Sequence, residues 1–208
     1  KGVVLAQSIR SATIALWGAV QFMATNAAVS PDDGNSRNIT FKGDLTDPDL
    51  TALAGIDFTT VRRAINDPVV AAAGDKILSE EFLVGEVGEE KRNLSIAYKG
   101  VVLAQSIRSA TIALWGIGQY MATNAAVSPD DGNSRNITFK GDLSDPDLLA
   151  LAGVDFTTVR RAINDPIVAA AGDKVLSEEF LVGEVGEEKR NLSIAYKGVV
   201  LAQSIRSA

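Results

Sequence analysis

Residues 3–29 read VVLAQSIRSATIALWGAVQFMATNAAV, and residues 101–127 return the string as VVLAQSIRSATIALWGIGQYMATNAAV. The fold turns on how this stretch is read. No charged residue occurs between Ser11 and Pro31. On a helical wheel Gln7, Arg10, Ser11, Gly18, Gln21 and Thr25 fall on one narrow polar stripe, while Val4, Ile9, Ala12, Leu16, Val20 and Met23 lie elsewhere. An apolar surface that wide suits a helix buried on most sides, so the pattern predicts one long buried helix over 3–29. Thr13, Gln21, Asn26 and the many alanines leave the stretch less apolar than a spanning segment, and no membrane span is expected.

The repetition extends to the whole chain. Residues 1–98 recur as 99–196, and 197–208 give KGVVLAQSIRSA for a third time. The two copies differ only at Ala19/Ile117, Val20/Gly118, Phe22/Tyr120, Thr46/Ser144, Thr51/Leu149, Ile56/Val154, Val69/Ile167 and Ile77/Val175. Most of these exchanges nearly conserve volume and polarity, as a packed interior or a helix cap tolerates. Repeats define the structural unit before any motif does. The expected organisation is copy 1 at 1–98, copy 2 at 99–196 and the start of a third at 197–208. A phase of 13–110 and 111–208 fits the overhang equally. A chain that opens and closes inside a copy reads as a window on a longer array. Roughly 100 residues are enough for a core of their own, unlike the unit of a short solenoid.

Beyond the long stretch, Ser30-Pro31-Asp32-Asp33-Gly34-Asn35 is a turn cluster. Residues 37–42 alternate as a short strand, with Ile39 and Phe41 on one face. Thr46-Asp47-Pro48-Asp49 carries a cap, an early proline and acid at the positive helix end, so a short helix starts there and ends near Gly55. Asp57 is read as the cap of a second helix through Ile65, and Asp67-Pro68 as the start of a third that stops at Gly74. Residues 81–87 and 92–98 read as a hairpin. The second of these strands runs through Lys99-Gly100 into the next copy without a flexible linker. The expected fold class is α+β: tandem copies of ~98 residues, each with one long buried helix, short helices and a small mostly antiparallel sheet.

The chain has no Cys and no His. That excludes disulfides, thiolate or imidazole metal sites and His-based acid–base chemistry. With a net charge of −6 and no basic cluster, nucleic acid is not an expected partner. Asp32, Asp33, Asn35, Asp44, Asp47 and Asp49 offer hard oxygens, but their spacing does not match a calcium loop and each has a local role as turn former or cap. Glu86, Glu89 and Glu90 sit on a turn, a poor place for tuned catalytic acids. Trp17, Trp115, Phe22 and Tyr120 read as core aromatics of the long helix. Arg62 and Arg63 read as exposed partners of Asp57, worth little. No phosphate loop or nucleophile elbow is present. No catalytic residue, metal site or cofactor is therefore expected.

Two features remain. Asn38, Asn93, Asn136 and Asn191 begin glycosylation sequons on the polar side of the expected strands, which counts if the chain is secreted. Leu94, Ile96, Tyr98, Val101, Val102 and Leu103 span the 98/99 boundary and are expected to pack the copies together, with 197–208 ordered against copy 2. The functional expectation is a non-enzymatic structural protein, the repeating subunit of an extracellular filament, surface layer or adhesive stalk, whose partner is itself. The alternative is a polyprotein of small domains that hold an apolar ligand beside the long helix.

Overall fold

In residues 11–17 the side chains alternate: Ile14 and Leu16 are buried, while Ser11 and Thr13 are exposed. That period of two is a strand with one covered face. The computed structural model describes residues 9–198 and 204–207. Within them copy 1 forms β1 (Ser11–Trp17), β2 (Phe22–Met23), β3 (Asn35–Lys42), β4 (Lys76–Val84) and β5 (Lys91–Val101). Copy 2 follows with β6 (Ala104–Trp115), β7 (Tyr120–Met121), β8 (Asn133–Lys140), β9 (Lys174–Val182) and β10 (Lys189–Lys197), and β11 (Ser204–Ser207) closes the series.

All eleven strands belong to one antiparallel sheet. Its order is β11-β10-β9-β8-β6-β5-β4-β3-β1-β2, with β7 beside β6. This corrects the expected α+β fold, since the copies do not stand apart as units with a long helix and a small sheet each. The stretch read as a long helix is instead β1, a tight turn and β2, and in copy 2 it is β6 and β7. Residues 3–8 of that expectation lie outside the described residues. The reason is local. Gly18 takes φ 67° and Gln21 φ 54°, left-handed values that end a helix and that a hairpin turn uses. Ala15 and Ala12 fit a strand flank as well as a helix, so the uncharged run imitated helical amphipathicity. Among the described residues no helix is long and apolar enough to cross a membrane.

The helices are short and lie on the connection between β3 and β4, and again between β8 and β9. In copy 1 they are α1 (Asp47–Ala54), a 3-10 turn at Ala64–Asn66 and α2 (Pro68–Ala72). Copy 2 has α3 (Asp145–Ala152), a 3-10 turn at Ala162–Asn164 and α4 (Pro166–Ala170). Thr46 and Asp49 form a capping box on α1, and Asp67 accepts from the amides of Val69 and Val70 to start α2. Asp57 caps no helix: it accepts from Thr59 in a local turn. The connection packs Leu53, Phe58 and Val70 onto the covered sheet face of Ile39, Phe41, Ile77 and Ile96, and this is the core.

One buried ion pair fastens the connection to the sheet in each copy. Arg37 donates to Glu80 Oε2 at 2.8 Å and to the carbonyl of Val61 at 2.7 Å, and Glu80 also accepts from the Ala64 amide at 3.0 Å. Tyr98 of β5 donates to the other carboxylate oxygen at 2.7 Å. Burial, then the charge and hydrogen bond of Glu80, push the Tyr98 phenol well above its ordinary value, so it remains a donor. Arg135, Glu178 and Tyr196 repeat the arrangement. Arg37 Nε alone of these groups lacks a hydrogen-bond partner among the described residues, and a pair that spends its carboxylate on Arg37, Ala64 and Tyr98 fastens structure.

Candidate functional site at the seam between the copies

Strand β5 crosses the 98/99 boundary and turns back through Val102 and Leu103 into β6. Its register sets Leu94 opposite Ile112, Ile96 opposite Ala110 and Val101 opposite Ala104. Gly100 holds φ 106° at the turn, where an added Cβ would stand 2.6 Å from the Ala104 carbonyl, so glycine is required. Of the six residues expected to pack the boundary, Leu94, Ile96 and Tyr98 are buried. Val101, Val102 and Leu103 are exposed, because they make the hairpin tip and not a helix. Strand β11 pairs with β10 from Ala195 to Lys197, so Ser204–Ser207 lies against copy 2. The remainder of the expected overhang, 199–203 and 208, is outside the described residues.

Cations of copy 1 bind copy 2 at two places near this hairpin. Arg62 and Arg63 form the first. Arg62 reaches Asp142 at 2.5 Å, Asp145 at 2.8 Å and the Leu143 carbonyl at 2.6 Å. Arg63, only 4% exposed, reaches Asp142 at 2.9 Å and the same carbonyl at 3.1 Å. The hydrogen bond from Arg62, reinforced by its charge, holds the Asp145 carboxyl below the usual range. Two planar guanidinium groups on one carboxylate and one carbonyl fix orientation as well as distance. Asp57, the partner that the sequence offers these arginines, instead accepts from Thr59. Their real partners lie some 80 residues away, and only the sheet register brings them together.

Lys91 alone makes the second contact. It is buried, donates to the carbonyls of Pro129 at 2.8 Å and Asp131 at 2.6 Å, and lies 4.6 Å over the Trp115 ring. The Trp115 indole donates in turn to the Arg92 carbonyl at 2.9 Å. A buried ammonium is tolerable here because carbonyl oxygens and an aromatic face replace its water. Beside it a cleft of about 420 Å³ opens, lined by Glu90, Lys91, Trp115, Pro129 and Glu188.

The other candidates from the sequence have local roles. Asp33 accepts from the Ser30 amide, Asp44 from Leu45 and Asp49 from Thr46. Asp32 and Asp47 are exposed and Asn35 donates to Asn38. Glu90 braces its loop by accepting from the amides of Asn35 and Gly88, and Glu86 and Glu89 face solvent. The sequon asparagines are placed unequally. Asn191 is exposed, Asn38 and Asn93 are half-buried, and Asn136 is 9% exposed beneath Arg92, which donates to it. Among the described residues there is no long helix, and so no groove of the kind expected beside one. No family model, curated protein or solved structure matches the chain.

Proposed function

We propose that this chain is a structural, non-enzymatic protein whose copies stack side by side as the repeating subunit of an extracellular filament, surface layer or adhesive stalk. The observation that carries the reading is the seam: β5 and β6 pair over eight positions, from Leu94↔Ile112 to Val101↔Ala104, so the sheet continues from one copy into the next. Arg62, Arg63 and Lys91, which lie outside the two buried ion pairs, all reach across that seam, which fits a protein whose task is to hold its neighbour. Each copy adds four sheet positions (β1, β3, β4 and β5), so at the ~4.8 Å spacing of strands it extends the sheet by about 19 Å. The partner on this reading is the protein's own neighbouring copy.

Negative-stain electron microscopy of the native material tests this. Stiff rods or layers whose length grows evenly with copy number support it. Compact beads on a flexible string would overturn it, because they require the copies to rotate freely at the junction.

A further inference from the structure

We infer that the tip of the β5–β6 hairpin, Val101-Val102-Leu103, together with the lysines around its base, docks this protein onto an anionic lipid surface. The inference stands apart from the assembly reading, since a single hairpin carries it.

The hairpin has strands of both copies beside it, yet its tip is uncovered. Val101 is 69% exposed and Leu103 70%, with Val102 exposed between them. Val101 pairs with Ala104, so the chain turns on Val102 and Leu103. Leu103 takes φ 56°, a left-handed value that such turns give to Gly or Asn and that strains a bulky side chain. A strained residue persists only where its surroundings fix it. Here the Gln105 side chain crosses β5 to β4, accepting from the Ile77 amide at 2.9 Å and donating to the Ile77 carbonyl at 2.5 Å. Lys76 adds a bond from Nζ to the Gly100 carbonyl at 3.3 Å. The tip is thus a pinned, convex point with aliphatic side chains turned to solvent.

The charges around its base select what it meets. Lys42 stands directly opposite Lys76 in the β3–β4 ladder, and Lys140 opposite Lys174 in the β8–β9 ladder. Like charges so placed repel. Asp75 and Asp173 offset one lysine of each pair, at 4.0 Å from Lys42 and 3.8 Å from Lys140. Lys99 and Arg108 are exposed and have no side-chain partner among the described residues. The other acids of this region are engaged: Asp44 and Asp67 accept from backbone amides, and Asp142 is held by Arg62 and Arg63. At the far strand ends stand Asp32, Asp33, Glu86, Glu89 and Glu90, with Lys91 buried among carbonyls. The sheet therefore carries opposite charge at its two ends, and the apolar tip is at the positive one. An aliphatic point within a basic ring matches a bilayer, where anionic headgroups overlie hydrocarbon. Protein interfaces draw on aromatic anchors, and the tip has none.

Co-sedimentation with phosphatidylcholine vesicles, with and without phosphatidylglycerol, tests the inference. The wild type should bind the anionic vesicles about tenfold more tightly than the neutral ones, and added salt should weaken that binding. Leu103→Asn keeps a residue that tolerates the left-handed turn, so its melting temperature should equal or exceed the wild type's. Its vesicle binding should nevertheless fall about tenfold, because an aliphatic side chain no longer enters the bilayer. Lys99→Glu, at an exposed and unpaired position, should fold as the wild type does and also lose about tenfold. Equal binding to both kinds of vesicle, or binding that neither variant weakens, would overturn the inference. So would a wild type that ignores vesicles altogether, a result that leaves the tip to a protein partner. None of these outcomes bears on whether native material forms rods.

Discussion

The face that copy 2 turns toward copy 1 and the same face at the open end of copy 1 share nearly all of their residues, yet they are not equally buried. Ala110 and Ala113 are fully buried, where Ala12 and Ala15 are half-exposed. Met121 and Asn136 are buried, where Met23 and Asn38 are half-buried. At the opposite end Lys91 and Leu94 are buried, whereas Lys189 is exposed and Leu192 only partly covered. The strands themselves do not change: β1 and β6 hold the same alignment on β3 and β8. Secondary structure is therefore written inside one copy, while burial of the seam is supplied by the neighbour. A residue such as Lys91 is acceptable in the interior only when the neighbouring copy brings Pro129, Asp131 and Trp115 to it.

Substitutions at paired positions should break this symmetry. The largest effect is expected at Leu94. Leu94→Ala removes a side chain 2% exposed in the core and should cost about 3 kcal/mol, whereas Leu192→Ala should cost roughly half of that. Urea unfolding of the two variants measures the difference. Arg63→Ala strips two hydrogen bonds from Asp142 and Leu143 and should cost about 2 kcal/mol, while Arg161→Ala should cost under about 1 kcal/mol. Lys91→Ala leaves two part-buried carbonyls without their donor and is expected to cost about 1–2 kcal/mol, against no more than about 0.5 kcal/mol for Lys189→Ala. Equal costs within any of these pairs would show that the seam is not what buries the first member.

The smallest effect is one of pH. The Asp145 carboxyl is held below its ordinary value by Arg62, so its contribution is fully present above the unfolded carboxylate value. It is lost as pH falls through the depressed folded value. Acid should therefore loosen the seam, and Asp145→Asn should remove part of that acid dependence. Melting curves of the two proteins between neutral and acid pH compare them directly. Identical acid slopes would mean that the Arg62 contact does not stabilise the folded chain.

Much of this molecule is legible in its sequence, and the failures share one cause. The alternation of Ile39 and Phe41 marks β3, that of Leu94, Ile96 and Tyr98 marks β5, and the caps at Thr46 and Asp67 start helices where expected. These signals sit within a few residues of the structure that they report. The stretch at 11–23 imitates a helix because alanines blur its period of two: Ala12, Ile14 and Leu16 line the covered face, but Ala15 breaks the contrast on the other. Gly18 is the local sign of the break, and on a helical wheel it falls in with the polar stripe. The arginine clamp left no local sign at all. Arg62 and Asp142 meet only after five intervening strands are paired in register, and a linear reading offers Asp57 first.

The central claim is that the sheet passes unbroken from copy 1 into copy 2, and residue-resolved amide hydrogen exchange tests it most directly. Ala110, Thr111 and Ile112 lie between β5 and β8, whereas Ala12, Thr13 and Ile14 of the same sequence have only β3 beside them. The account predicts slow exchange for every amide from Ala110 to Ile112, and slow exchange among Ala12 to Ile14 only for amides that face β3. If the amides of Ala110 to Ile112 directed at β5 exchange as fast as their counterparts in copy 1, the two copies do not share a sheet.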